Sequence, residues 1–217
     1  GTISMLSNNV LGGSDFLTGA FPAEYGNASS GVFDLRMKKG NNEKREYAFQ
    51  AGTLGLEAAL EGPFIKGKKS SYIINYRYST LALIEATGYK ITGDIRIGFQ
   101  DINYNFFFPT KKLGTFTVFG VGGLSWSKVD DQNKYLNVVY NDRNLSGYNM
   151  GATGLTHTFY FNDKTWMKTV LSGSRYDVTN SYQIEENGAY KEHTNDHVIN
   201  YYYRGATQIN SKLNAKN

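Results

Sequence analysis

The sequence contains no cysteine and only 3 prolines in 217 residues. Without cysteine there is no disulfide scaffold, no thiolate catalysis and no cysteine-ligated zinc, although the cellular compartment stays open. An excess of one charge is also missing, because 23 Lys and Arg stand against 19 Asp and Glu, for a net charge of +4. This balance is far from the dense basic surface of a nucleic-acid binder, and we expect no nucleic-acid partner.

Long apolar runs are absent as well, and none approaches the ~18 to 20 residues of a membrane-spanning helix. Tyrosine (17), phenylalanine (13) and glycine (24) are abundant instead. This composition favours β-strands over a helical bundle and excludes a disordered or collagen-like chain. Membrane-spanning strands stay compatible with it, because they alternate apolar and polar side chains and their mean hydropathy is near neutral.

Two regions differ in composition. Residues 1–43 are rich in small and turn-forming residues and end in the polar stretch KKGNNEK at 38–44, which predicts the end of a small module and a linker. Residues 44–217 form the second region. The start lacks the charged and apolar regions of an export signal, so we expect such a signal to be removed or to lie upstream, and the chain to be a fragment.

In the second region, apolar residues recur at every second position, as in half-buried strands. Tyr72, Ile74 and Tyr76, for example, alternate with polar Asn75 and Arg77. This period predicts eight strands, at about 47–52, 54–61, 71–78, 101–108, 113–125, 147–161, 165–177 and 197–210. The first two could instead be one long strand.

The predicted connections alternate between short, lysine-bearing turns (62–69, 109–114, 162–164) and long, polar loops. In an antiparallel meander this places tight turns at one end and long loops at the other, as in outer-membrane barrels. Aromatic residues collect beside the short turns, as in the girdle at a membrane interface; they include Phe64, Tyr72, Phe106, Phe108, Phe116, Phe159, Phe161 and Trp166. The alternative is a soluble sandwich or barrel with an aromatic interior.

Two stretches carry a family resemblance: SDFLTGAFPAEYGNASSGVFDL at 14–35 and LGLEAALEGPF at 54–64. The first resembles the end of the plug domain of TonB-dependent outer-membrane receptors, closest to the Bacteroidota branch that often carries a carboxypeptidase-like regulatory domain. The second, with residues 71–79, resembles that branch's second barrel strand, first periplasmic turn and third strand. The likeness is specific over residues 1 to about 80.

The resemblance implies an all-β fold, in which about eight antiparallel up-and-down transmembrane strands of a larger barrel (44–217) follow the C-terminal part of a plug (1–43). Barrels of this family have 22 strands around a plugged lumen. The implied function is energised nutrient uptake across the cell outer membrane, with substrate bound by loops and plug. The implied partners are the TonB–ExbB–ExbD energy-coupling complex, acting through a part of the receptor that this chain lacks, outer-membrane lipid and a surface lipoprotein.

Charged residues on the plug-like stretch and on the polar strand faces are the candidate contacts between plug and wall; they are Glu24, Asp34, Arg36, Glu57, Glu61, Arg77 and Asp101. Buried charges need partners. A plug held by ion pairs and hydrogen bonds could be released without dismantling a hydrophobic core.

Motifs for chemistry are missing. The chain has no Gly-x-Ser-x-Gly elbow and no isolated carboxylate pair, so we expect no enzyme, no catalytic residue and no cofactor. His193, Asp196 and His197 do not have a zinc spacing, and a solvated polar loop is the better interpretation. Gly120, Gly122 and Gly123 lie within a strand and indicate bending or close packing of the wall.

Two other hypotheses stay open. The chain could be a free-standing eight-stranded outer-membrane barrel with a structural or binding role, preceded by an ordered arm. An outer-membrane enzyme is the third, and it has no candidate nucleophile.

Overall fold

A computed structural model describes residues 5–19, 21, 25, 30–52, 55–88, 95–135 and 138–212. About three quarters of these residues lie in strands, and the one helix among them is short. The elements are β1 (Leu11–Leu17), β2 (Val32–Met37), β3 (Glu46–Ala51), β4 (Leu56–Pro63), β5 (Ser71–Tyr78), α1 (Thr80–Ala86), β6 (Ile95–Pro109), β7 (Thr115–Tyr135), β8 (Val138–Asn162), β9 (Thr165–Glu186) and β10 (Ala189–Ser211).

Strands β3 to β10 form one antiparallel sheet in which each strand pairs with its neighbours in sequence. This confirms the predicted up-and-down arrangement of eight strands. The first two are separate strands, because β3 pairs with β4 and the Gly52 N–H donates to the Gly55 carbonyl over 3.0 Å. Strands β1 and β2 form a second, two-stranded sheet.

The tight turns between β4 and β5, β6 and β7, and β8 and β9 are confirmed. In the second of them, the Thr110 N–H donates to the Gly114 carbonyl over 2.9 Å. Gly114 has a φ of 78°, and a Cβ there would lie 2.2 Å from the Thr158 carbonyl oxygen. The turn therefore requires glycine at this position.

The predicted long loops are wrong at two of three places. Strand β7 continues to Tyr135 and β8 begins at Val138, while β9 and β10 are joined through Asn187 and Gly188, both with positive φ. Asn-Gly in this conformation closes a two-residue hairpin. Polar residues stand on both faces of these strand ends, so the strands continue without a regular apolar alternation. The third connection contains α1, and β6 begins at Ile95, earlier than predicted.

The sheet has two chemically different faces. The polar face carries Glu57, Asn75, Arg77, Asp101 and Asn103 at mutually paired positions. The apolar face carries the residues between them in sequence; they include Leu56, Tyr72, Ile74, Tyr76, Ile102, Tyr104, Val118, Leu124, Leu155, Leu171, Tyr201 and Tyr203.

Burial on the two faces is inverted relative to a water-soluble protein. Ten polar or charged residues but only six apolar ones are buried in the described part of the chain, and Asn75 and Asn103 are fully buried. Leu56, Ile102 and Leu171 are exposed. Within the described residues, no helix has the length and apolar character needed to cross a bilayer.

Candidate functional site

The polar face is covered by residues 5–10 and 38–41, which we call the N-terminal segment. Its two parts meet where the Lys38 N–H donates to the Val10 carbonyl over 2.8 Å. Val10 is completely buried and Ser7 nearly so, although both precede the first strand of the large sheet. The N-terminal segment therefore packs against β4 to β7 from one side.

Glu57 on β4 is the centre of this contact. Its Oε1 accepts hydrogen bonds from the Ser7 hydroxyl, from Asn9 Nδ2 at 2.6 Å and from Asn75 Nδ2 at 2.7 Å. A carboxylate is acceptor-only and can take several donors, and bonds to a charged group are stronger than neutral ones. Glu57 thus joins the N-terminal segment to two strands of the sheet.

Side chains of the sheet also bind the backbone of the N-terminal segment. Asn103 Nδ2 donates to the Met5 carbonyl over 2.9 Å, and Asn105 Nδ2 donates to the Lys38 carbonyl over 2.7 Å. The Ser71 hydroxyl donates to the Lys39 carbonyl over 2.6 Å. These three bonds recognise backbone atoms, so this part of the contact does not depend on the side chains of the segment.

Arg77 and Asp101 form an ion pair within the polar face. Arg77 Nε lies 3.0 Å from Asp101 Oδ2, with a second, shorter contact from its NH2 group. Their side chains are 17% and 6% exposed. A Cβ at Gly123 would lie 2.6 Å from Asp101 Oδ1 and 2.8 Å from Met5 Sδ, so the glycine accommodates both the ion pair and the N-terminal segment. The close packing expected at this glycine patch is confirmed at Gly120 and Gly123, whereas a Cβ at Gly122 would meet only ordinary contacts at 3.7 Å.

The remaining predicted site residues lie in different places. Glu61 Oε2 accepts the Asn41 N–H over 2.7 Å and so belongs to the contact. Asp34 and Arg36 pair with each other on β2, and Arg36 also reaches Asp15 at 2.9 Å; all three take part in the small sheet. The expected pairing of Asp34 and Arg36 with the large sheet is therefore replaced by a local one. Glu24 lies outside the described residues.

The sequence did not predict that the asparagines of the polar face and residues 5–10 belong to this site. Asn75, Asn103 and Asn105 alternate with aromatic or aliphatic residues. This alternation predicts that they lie on a polar face, but it does not predict that their amides bind the backbone of another segment or a neighbouring side chain. Residues 5–10 have no periodic pattern, and their position depends on contacts far along the chain.

Aromatic rings form a band on the apolar face beside the tight turns. Phe64 lies 5.2 Å from Tyr72 and 4.9 Å from Phe108, measured between ring centroids. Across β7 and β8, Phe116 stacks on His157 at 4.4 Å. These rings form two clusters, one beside the β4–β5 and β6–β7 turns and one on β7 and β8, so aromatic side chains line this end of the sheet across several strands.

The three histidines have separate surroundings. His193 Nε2 lies 3.6 Å from Glu186, His197 Nε2 lies 3.0 Å from Asp177, and His157 contacts the Leu113 carbonyl at 2.7 Å. Among the described residues, no three His, Asp or Glu side chains come together as a metal site.

Comparison with known proteins identified no relative of this chain. No protein-family model, curated protein or solved structure matches this chain.

Proposed function

We propose that this chain is part of a TonB-dependent outer-membrane transporter, comprising the end of its plug and its first barrel strands. The observation that carries the proposal is the inversion of polarity in the sheet. Amides and carboxylates are buried beneath the N-terminal segment, whereas large apolar side chains are exposed on the other face.

Water does not favour this arrangement, because soluble domains bury apolar side chains and expose charged ones. A bilayer does favour it, since the lipid-facing side of a barrel is apolar and a basic residue at mid-membrane depth costs ~2 to 4 kcal/mol. The aromatic band beside the tight turns is what an interface girdle requires. In this proposal the apolar face contacts lipid and the polar face lines the lumen.

The contacts of the N-terminal segment fit a removable plug. They are mostly hydrogen bonds, each contributing a net ~0.5 to 1.5 kcal/mol, or more at the charged Glu57. Polar groups released from such bonds can be solvated by water in the lumen, whereas a hydrophobic interface would resist separation. Force from the TonB–ExbB–ExbD complex would act on this interface, and the nutrient would pass along the lumen.

A free-standing barrel of eight strands is less well supported. Closure would require β3 to pair with β10, and these strands have 6 and 23 residues. Most of β10 would keep an unpaired edge. The natural reading frame separates the two proposals, because a receptor needs several hundred further residues and a small barrel does not.

The membrane assignment is tested with single cysteines in the full-length protein. Cysteine at Leu56, Ile74 or Tyr76 should react with a lipid-phase probe, and cysteine at the adjacent Asn75 or Arg77 should not. Equal reactivity of neighbouring positions with an aqueous probe would contradict the assignment.

The plug assignment is tested by a reversible crosslink. Cysteines at Ser7 and Glu57, joined by a short, reducible thiol reagent, should hold the N-terminal segment on the sheet and stop TonB-dependent uptake, and reductant should restore it. A pair at Ser7 and Lys168 is the control, since Lys168 lies on distant β9 and should not be captured. Uptake that continues in the crosslinked protein would rule out release of this segment as part of transport.

A further inference from the structure

The three tight turns of the large sheet, at residues 62–69, 109–114 and 162–164, are strongly basic, and we call them together the turn surface. They contain six lysines and a single acid, Asp163. The lysines are Lys66, Lys68, Lys69, Lys111, Lys112 and Lys164. We propose that the turn surface binds the headgroups of anionic phospholipids in the leaflet that it meets. The inference rests on the proposed function, because it requires the sheet to cross a membrane.

The charge of the turn surface is not neutralised within the described part of the chain. All six lysines are exposed, and none lies within 4.0 Å of a described carboxylate oxygen. Two acids at the same end of the sheet have other partners, since Glu46 binds Lys44 at 2.7 Å and Glu61 accepts the Asn41 N–H at 2.7 Å. Six lysines against one aspartate therefore leave a net charge of +5 on the turn surface.

The opposite ends of the strands have the reverse balance. Residues 177–196, which include the β9–β10 hairpin, contain five acidic residues and one lysine. Charge is thus separated along the strands, basic at the tight turns and acidic at the far hairpin. An anionic surface would be attracted to the first end and repelled by the second.

Large apolar side chains are exposed among these lysines. Ile65 is 62% exposed and Leu113 is 64% exposed, and each is adjacent to a lysine in sequence. The aromatic band lies next to them, with Phe64 stacked on Phe108. Apolar side chains can enter the headgroup region of a bilayer while neighbouring lysines stay at the phosphates. A free phosphate would leave Ile65 and Leu113 in water, whereas a membrane surface accounts for both kinds of side chain.

Hydrogen bonds hold the turns in fixed shapes. In the first turn, the Lys68 N–H donates to the Ile65 carbonyl over 3.0 Å and the Phe64 N–H donates to the Ser70 carbonyl over 3.2 Å. In the third, the Lys164 N–H donates to Asn162 Oδ1 over 2.9 Å. Because the backbone is already ordered, only the lysine side chains lose freedom when a headgroup binds.

The test uses the full-length protein in neutral vesicles, with a fluorophore on Ser70→Cys at the end of the first tight turn. Phosphatidylglycerol or phosphatidylcholine, carrying a nitroxide near its headgroup and added at the same low fraction, quenches the fluorophore in proportion to the lipid near the turn. Phosphatidylglycerol should quench more strongly, and high salt should remove most of this preference.

Two double variants locate the charge that is responsible. Lys68→Gln with Lys69→Gln should lower the preference about fivefold or more, the effect of one basic residue near an anionic surface. Lys128→Gln with Lys191→Gln removes the same charge outside the turn surface and should leave the preference unchanged. Glycerol phosphate should have no more effect than sodium chloride of equal ionic strength, and loss of the preference in glycerol phosphate alone would assign the lysines to free phosphate instead.

Equal quenching by the two lipids in the unsubstituted protein would overturn the proposal and would point to an acidic protein as the partner of the turn surface. If cysteine at Tyr76 is still labelled from the lipid phase in that case, the membrane assignment survives and only the headgroup contact fails. If neither lipid quenches the fluorophore and cysteine at Tyr76 is not labelled, the proposed function fails with it.

Discussion

Removal of Asp101 provides a quantitative test of how the polar face is buried. In Asp101→Ala, Arg77 loses two charge-assisted hydrogen bonds, each contributing ~1.5 to 3 kcal/mol. Breaking a buried ion pair by removing one partner costs ~3 to 5 kcal/mol. Since Arg77 keeps 17% of its side-chain surface exposed, some charge can be solvated, and we expect the lower figure, about 3 kcal/mol.

The double variant Arg77→Met with Asp101→Leu distinguishes the cost of an unpaired buried charge from a general defect in folding. Replacing both partners by apolar groups leaves neither charge of this pair behind, and Glu57 keeps its hydrogen bonds from Ser7, Asn9 and Asn75, so much of the lost stability should return. Denaturant unfolding of the protein, reconstituted in vesicles and followed by tryptophan fluorescence, measures the free energy of unfolding of each variant. Glu186→Ala, which removes an exposed pair, should leave that free energy nearly unchanged. If Asp101→Ala costs no more than this control, the polar face is solvated and the argument fails.

Other perturbations follow from single contacts. Glu57→Ala should raise amide exchange in the N-terminal segment but not in β9 and β10, measured by hydrogen–deuterium mass spectrometry; equal exchange throughout would contradict its role. Gly114→Ala should lower the free energy of unfolding by more than about 2 kcal/mol, because alanine would have to adopt a positive φ and its Cβ would clash with a backbone oxygen. Gly67→Ala, which has a similar φ but open space around it, should lower it by only about 1 kcal/mol in the same unfolding assay. Hydrogen bonding to Lys191 lowers the pKa of Glu186, so the β9–β10 tip gains stability above the unfolded pKa of Glu and loses it as pH falls through the lower folded value. Amide exchange at the tip, corrected for intrinsic rates, should rise only below about pH 4.5.

The strands nearest the predicted aromatic girdle could be predicted from sequence. In β5, one face is Tyr72, Ile74 and Tyr76 and the other is polar apart from the buried Ile73, and the observed strand covers the predicted residues 71–78. Period-two alternation is strong here because the two faces meet different surroundings. It disappears in the outer halves of β7 to β10, where polar residues stand on both faces, so the sequence predicted loops where the structure has hairpins.

The candidate site could be predicted only in part. Glu57, Glu61, Arg77 and Asp101 were identified because charges at alternate positions stand out in an apolar strand. Strand β1 was missed, since LGGSDFL has weak strand propensity and pairs only through contact with β2. The local pairing of Arg36 with Asp34 depends on side-chain geometry that spacing alone does not reveal.

The order of pairing in the large sheet has a consequence for how such chains can change in evolution. Every strand from β3 to β10 pairs only with its neighbours along the chain, so adding or removing a whole hairpin widens or narrows the sheet and leaves the other registers intact. Deleting a single residue within a strand instead exchanges its two faces beyond that point. Length variation among descendants should therefore come in whole hairpins or in the turns, while strands that contact the N-terminal segment keep their length.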